Sequence, residues 1–392
     1  MGAIQPLPYL SIVNPEGIPE AIASQFPIGP VREVRPFEAE GNINRTWLVL
    51  ADGEFLLQRL NSTVFPMPER VMQGMRAALQ AQDPAPDRWT TPELIPSMGG
   101  RWWIEAENAA WRMVRRIDRV VSYKALQDSP AEQQLDLAFE AGRGLGIFTR
   151  LVRKLDASSL QPSLPGYRDT GLYYRQLRAA CSGLKAFDEG SLPPELRAAT
   201  GHLFRVHLPR DEWERRMHEP PVREAIGVAF AEESLAMTLW DALADGSLQQ
   251  DVIHGDPKLE NFLFDLETMR VRALVDLDTI MPFTWLADWG DLVRSLANPA
   301  GETERDLGRV AMDRQVVERL REGFLQEAGA LTADAVALMD AAARALTLEQ
   351  AVRFLADYLR GDVYYALNPD HPPDLNLRRA LVQFRLFETM QS

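Results

Sequence analysis

A single cysteine, Cys181, stands among the 392 residues, so no disulfide can close within the chain and a reducing compartment is expected. Long apolar runs are missing as well: none approaches the roughly 18 residues that a membrane-spanning helix requires. The first ten residues hold neither the basic stretch nor the apolar core of a secretory signal, and Pro6 stands where a myristoylation site has Ser or Thr. The cytoplasm is the default expectation. Positive charge is in deficit, with 42 Lys and Arg against 56 Asp and Glu and a net charge of −14. That balance argues against a nucleic-acid partner, which needs clustered cations, though it says nothing of a small anionic substrate. Neither glycine (25) nor proline (27) is in excess, which excludes collagen-like and low-complexity classes. What is present is 46% hydrophobic content, enough for a large interior, and a length that fits two or three packed units.

The first hundred residues read as short strands and turns, and most of the remainder as helix. Asn44 to Leu50 and Glu54 to Leu60 flank the turn signal Ala51-Asp52-Gly53, which predicts a hairpin. Behind Pro66 and Pro68, the apolar residues Val71, Met72, Met75, Ala78 and Leu79 predict a helix over 69–79. A second hairpin is expected from Trp102–Ile104 and Trp111–Val114, ending near Asp118, where the lobe junction is placed, dividing 1–117 from 118–392. Helical patterns follow over 131–155, 222–244, 307–328, 332–360 and 377–390, with Thr332 as an N-cap and Gly142, Gly144 and Gly146 permitting close packing. No repeat of fixed period is visible.

Chemistry concentrates in His254-Gly255-Asp256-Pro257-Lys258-Leu259-Glu260-Asn261, followed by Phe262-Leu263-Phe264 and then Val275-Asp276-Leu277-Asp278. Phosphoryl transfer needs one carboxylate to orient the attacking hydroxyl and accept its proton, and separate oxygen ligands for Mg²⁺. Asp256 suits the first task. Asn261, five residues on, can cross a tight loop and return, and its amide oxygen binds a metal without adding charge. A hairpin would bring Asp276 beside it, and two protein ligands are enough for Mg²⁺, which retains waters and substrate phosphates. Lys258 can screen charge on the transferred group or be a solvated loop lysine. His254 is expected to hold the loop by hydrogen bonds. Asp278, next but one to Asp276, is expected to point the same way, toward metal or substrate or into a structural role.

Nucleotide phosphates also need cover and a cation. Gly41, in Glu40-Gly41-Asn42-Ile43-Asn44, is a candidate turn whose backbone approaches them, with Asn44 closing it. Arg59 can pair with the phosphates and with Glu69 on the following helix; Gln58 facing them instead stays open.

Taken together, His254-Gly255-Asp256 with Asn261, Val275-Asp276-Leu277-Asp278 and Ala287-Asp288-Trp289-Gly290-Asp291-Leu292 resemble the aminoglycoside phosphotransferase superfamily over nearly the whole chain. Gly41 to Asn44, Phe55 to Asn61 with Val64-Phe65-Pro66, Tyr167-Arg168-Asp169-Thr170 and Asp276 to Pro282 are closer still to N-acetylhexosamine 1-kinases. The resemblance implies an α+β, two-lobed, protein-kinase-like fold with a small β-rich N-terminal lobe and a larger helical C-terminal lobe. It also implies ATP and Mg²⁺ as cofactors, Asp256 as base, Asn261 and Asp276 on the metal, and Arg59 where the family places its phosphate-binding cation, often Lys. The acceptor is expected to be a small molecule, a sugar phosphorylated at its anomeric hydroxyl, in carbohydrate metabolism. Gly255 with Pro257 departs from the sugar-kinase subgroup. Asp169, Arg168, Asp278 and Arg294 are candidates for acceptor hydroxyls, with helix-packing salt bridges as the plainer reading. Trp285 and Trp289 are expected in the core rather than stacked on a sugar.

Two other readings share the pattern. One is a kinase of an amino alcohol, a homoserine-like compound or an aminoglycoside; the other is a nucleotide-binding interaction module without catalysis, which intact Asp256, Asn261 and Asp276 argue against. A protein kinase is disfavoured because neither Asp-Phe-Gly nor Ala-Pro-Glu follows to bound an activation segment.

Overall fold

The computed structural model describes residues 17–37, 43–183 and 191–391. Two compact units are present, one formed by Met1–Met72 with Pro92–Asp118 and the other by Gln73–Thr91 with Arg119–Ser392.

In the first unit, β1 (Glu33–Pro36), β2 (Arg45–Leu50), β3 (Glu54–Arg59), β4 (Leu94–Ile95), β5 (Ile104–Ala106) and β6 (Ala109–Arg115) form one antiparallel sheet. Its order is β1-β2-β3-β6-β4, with β5 also on β6. The expected hairpin is present: Ala51 N–H donates to the Gly53 carbonyl at 2.9 Å, and Leu50 pairs with Glu54. The second hairpin closes more tightly than its sequence spacing predicts. Glu107 and Asn108 both take positive φ, 51° and 53°, the two-residue turn that matches strand twist, so β5 and β6 meet across those two residues alone. Alternation along the strands sends Val49, Phe55, Leu57, Trp111 and Met113 into one core with Ile22, Phe26 and Ile28. Full burial of each such side chain is worth about 1.5–3 kcal/mol.

In the second unit the helix Gln134–Val152 lies against Arg314–Glu327 with backbones in contact. A Cβ on Gly142 would come within 2.0 Å of the Leu320 carbonyl oxygen, and one on Gly323 within 2.0 Å of the Phe139 carbonyl oxygen, so only glycine fits. The long helix Met339–Arg360 is the spine: Leu348, Val352, Leu355 and Leu359 bury with Tyr174, Leu177, Phe384 and Phe387 from Thr170–Ser182 and Leu375–Thr389. Three predicted helices are interrupted. The stretch 222–244 divides into Pro220–Ala231, Glu233–Ala236 and Thr238–Ala244, because Glu232 leaves helical geometry at φ −102°, ψ 11°. In 307–328 the helix begins only at Arg314, where the Asp313 carboxylate accepts the N–H groups of Gln315 and Val316. Thr332 caps Ala335 as expected, but its helix stops at Ala337 before Met339 opens the next.

Five short strands complete this unit. β8 (Asp251–Ile253) pairs with β11 (Met281–Phe283), while β9 (Phe262–Asp265) lies between β10 (Val271–Leu274) and β7 (Val120–Val121). Among the described residues no helix is long and apolar enough to cross a membrane.

Candidate active site

The β9–β10 hairpin sets the geometry. Leu274 is the register partner of Phe262, and the Val275 N–H donates to the Asn261 carbonyl at 2.9 Å, which brings Asp276 alongside Asn261 across the ladder. Asn261 ends a short 3-10 turn, and its side-chain Nδ2 donates to the Asp256 carbonyl at 2.9 Å. With the nitrogen engaged, the amide oxygen is the atom available to a hard cation. Asp276 is exposed in the left-handed region, φ 65°, ψ 56°. The expected strand-like alternation of Asp276 with Asp278 does not occur. The chain turns at once into the 3-10 segment Leu277–Thr279, leaving Asp278 only 3% exposed, with its carbonyl accepting from Ser163 Oγ at 2.6 Å.

Lys258 Nζ sits 3.6 Å from Asp256 Oδ2 and 2.5 Å from Glu260 Oε1. Burial opposes its charge, but the carboxylates of Asp256, Glu260 and Asp276 outweigh that and hold its pKa above the usual lysine value. A cation is thus kept among the three acids.

Every backbone group of the loop before Asp256 is anchored. His254 is buried, its Nε2 bonded to the Val275 carbonyl at 2.9 Å and its Nδ1 receiving the Asp256 N–H at 3.3 Å. Those partners require the neutral ring with the proton on Nε2, and burial lowers the pKa accordingly. His254 therefore holds the loop, linking Asp256 to the strand that ends at Asp276. The Asp288 carboxylate accepts the His254 N–H at 2.7 Å and the Gly255 N–H at 2.8 Å. Burial pushes Asp288 up to about 7, against the pull of those two donors. Gly255 has φ 88°, and a Cβ there would meet the Thr279 carbonyl oxygen at 2.5 Å, so the turn requires glycine.

The Gly255 carbonyl accepts from Tyr167 Oη at 2.9 Å and from Arg168 Nη2 at 2.7 Å. Arg168, 2% exposed and itself at φ 61°, also binds Asp291 at 2.5 Å and Glu349 at 3.2 Å. Arg294 holds the other Asp291 oxygen at 2.7 Å and reaches Glu302. Although burial opposes its charge, Asp291 lies far below the usual carboxylate range because two guanidinium groups face it. Asp169 caps its helix by accepting the Leu172 N–H at 2.8 Å. Arg168, Asp169 and Arg294 thus brace the loop and the helices behind it. Trp285 and Trp289 pack on Phe324 in the core, as expected.

Beside this network Arg353 lies among four tyrosine rings, 5.3 Å from the Tyr167 centroid, 4.9 Å from Tyr173, 5.5 Å from Tyr364 and 5.6 Å from Tyr365. The cage runs from Tyr167, which feels the Asp256 charge, to Tyr364, which is 45% exposed. Arg353 carries no sequence signal, since it sits about a hundred residues beyond the loop on an ordinary helical face. Asp288 and Asp291 fall in the Ala287–Leu292 run, whose acids were visible though their partners were not.

In the first unit, Asn44 Oδ1 accepts the Asn61 N–H at 2.9 Å and so ties the start of β2 to the end of β3. Arg59 stacks 6.0 Å from the Trp111 centroid and donates to the Glu107 carbonyl at 3.4 Å; no ion pair joins it to Glu69, which is exposed. Gly41 lies outside the described residues.

Residues 33–338 match a protein-family model described as Phosphotransferase enzyme family. Similar solved structures include an aminoglycoside phosphotransferase from Alicyclobacillus acidocaldarius subsp. acidocaldarius DSM 446, 12% identical over 99% of this chain and 97% of that one, with a TM-score of 0.55. A microcompartment-associated aminopropanol kinase is 13% identical over 96% of each chain, TM-score 0.55. An amicoumacin kinase in complex with AMP-PNP, Ca²⁺ and Ami is 11% identical over 95% of this chain and 94% of that one, TM-score 0.54. At such identities the likeness establishes the fold, which is the expected protein-kinase-like α+β architecture.

Proposed function

The chain belongs to the phosphotransferase enzyme family, and from that premise we propose that it transfers the γ-phosphoryl group of ATP to a hydroxyl of a small sugar, the anomeric hydroxyl of an N-acetylhexosamine being the first candidate. Asp256 orients the acceptor hydroxyl and takes its proton as the new O–P bond forms and the bond to ADP breaks. Lys258, kept charged beside it, offsets negative charge on the group in flight. The oxygen donors Asn261 and Asp276 suit Mg²⁺, which when bound neutralises phosphate charge. Asp288, His254, Arg168 and Tyr167 keep the loop in register.

The observation that carries the sugar reading is the Arg353 cage. Arg353 already fills the cation-binding faces of those tyrosines and its charge repels a cationic acceptor, so a neutral, hydroxyl-rich ring is the better fit. Purified protein incubated with ATP, Mg²⁺ and a panel of sugars, amino alcohols and aminoglycosides, with products mapped by phosphorus NMR, tests this. Phosphorylation of an N-acetylhexosamine at its anomeric oxygen is expected; turnover confined to amines would replace the sugar reading, and ATP binding without any turnover would favour a non-catalytic module.

A further inference from the structure

Lysine is rare in this chain: of the 42 cationic residues only Lys124, Lys154, Lys185 and Lys258 are lysines, and the rest are arginines. One of the four stands beside the proposed base, and the backbone around it explains its placement. Lys258 is extended, φ −79° and ψ 158°, at the start of the 3-10 turn Leu259–Asn261. Leu259 is 1% exposed and anchors that turn in the interior, while the side chains on either side of it, Lys258 and Glu260, stay partly exposed and meet. Two backbone bonds fix the root of the lysine: its N–H donates to the Asp256 carbonyl at 3.0 Å, and its carbonyl accepts the Asn261 N–H at 2.9 Å.

The ammonium is shared unequally between two acids. Nζ is at direct hydrogen-bond distance from Glu260 Oε1, 2.5 Å, but at 3.6 Å from Asp256 Oδ2 it is within ion-pair range only. An arginine could fork across both carboxylates at once, whereas a lysine is a point charge on a flexible stem and follows the nearer one. Asp256 therefore keeps a neighbouring cation without giving up an oxygen to it. Once the Glu260 charge is removed, Lys258 turns to Asp256, which is already within ion-pair range, and closing that gap occupies the oxygen that has to take the acceptor proton.

We propose that Glu260 is a positioning residue for phosphoryl transfer: it holds Lys258 clear of Asp256, so that the base stays open to the acceptor hydroxyl while the cation remains beside the group in flight. The inference rests on the phosphotransfer reading above and adds to it the residue that keeps base and cation apart.

The test is a double-mutant cycle in steady-state kinetics with Mg·ATP and N-acetylglucosamine, or with ethanolamine if the panel above shows turnover confined to amines. Glu260→Gln should lower kcat about fivefold, the upper range for a partly exposed ion pair, with the ATP KM within about twofold. Glu260→Asp keeps a charge that the lysine stem can still meet, and should stay within about twofold of wild type. Lys258→Met should lower kcat about tenfold or more. The double variant Glu260→Gln with Lys258→Met should be no slower than Lys258→Met alone, because Glu260 acts only through the lysine. A further fivefold loss in the double variant would show a merely structural role and overturn the inference. A second measurement is independent of turnover. In protein labelled with carbon-13 at lysine Cε, the Lys258 signal, assigned by its loss in Lys258→Met, should respond more strongly to Asp256→Asn in the Glu260→Gln background than in the wild type. An equal response in both backgrounds overturns the inference while leaving the kinase reading intact. A wild-type protein that phosphorylates nothing on the panel overturns both.

Discussion

Asn261 donates its side-chain amide to the backbone carbonyl of Asp256 across 2.9 Å, so the proposed metal ligand and the proposed base are held by one hydrogen bond within a five-residue loop. The Asp256 side chain is left free of that bond to work on an acceptor. Asp256→Ala should therefore lower kcat by at least about a hundredfold, the usual worth of a positioned general base, while nucleotide affinity changes little. Steady-state kinetics beside a nucleotide titration check this, and wild-type turnover would remove Asp256 from the mechanism.

Asp276 stands across the ladder from Asn261. Asp276→Asn should raise the Mg²⁺ concentration for half-maximal rate about tenfold or more, since a carboxylate is exchanged for a neutral ligand. A metal titration that does not move would take it off the ligand set.

Asp288 accepts two backbone N–H groups, one on each oxygen. Asparagine offers one acceptor and turns an N–H against the other donor, so Asp288→Asn should destabilise by about 1–3 kcal/mol and slow catalysis through a loosened loop. Urea melts and kcat measured together decide this. If stability falls while kcat stays at the wild-type value, the loop does not depend on Asp288.

The two buried acids make opposite contributions to stability against pH. Asp291 has a depressed pKa, so its contribution is present above about pH 4 and is lost as pH falls further. Asp288 has a raised one, so the stability it contributes below about pH 4 is lost as pH rises through about 7. Urea midpoints measured from pH 3 to 8 should lose their acid limb in Asp291→Asn and flatten between about 4 and 7 in Asp288→Asn. Curves parallel to wild type would show that neither group titrates with folding.

Arg353→Met keeps the bulk of the side chain while removing the charge from the tyrosine cage. The acceptor KM should rise about tenfold with the ATP KM unchanged, the loss of one charge-assisted hydrogen bond from the guanidinium to the acceptor, about 1.4 kcal/mol. A change confined to ATP would place the cage elsewhere in the reaction.

The elements around the loop were legible for local reasons. Ala51-Asp52-Gly53 and the alternation on either side specify a hairpin from adjacent residues, and the spacing of Asp256, Asn261 and Asp276 already describes a loop followed by a ladder. Helix interruptions at Glu232 and Leu338 were not legible, because the apolar spacing continues through both and only the packing around them breaks the run. The burial of Asp278 is not legible for a related reason: alternation assumes the strand continues, and the left-handed turn at Asp276 ends it.

What the amino-acid sequence determined by itself was the class of chemistry, since the proposed base, the proposed metal ligands and their separations all lie within some twenty consecutive residues. The tertiary structure alone decided what supports and what faces them. Asp288, from a helix, and Arg168, from a turn, reach the loop across 34 and 87 residues, Arg353 packs on Tyr167 behind it, and Gln58 meets Arg112 only through strand pairing. Contacts between such distant segments depend on how helices and strands pack, which no local pattern of residues encodes.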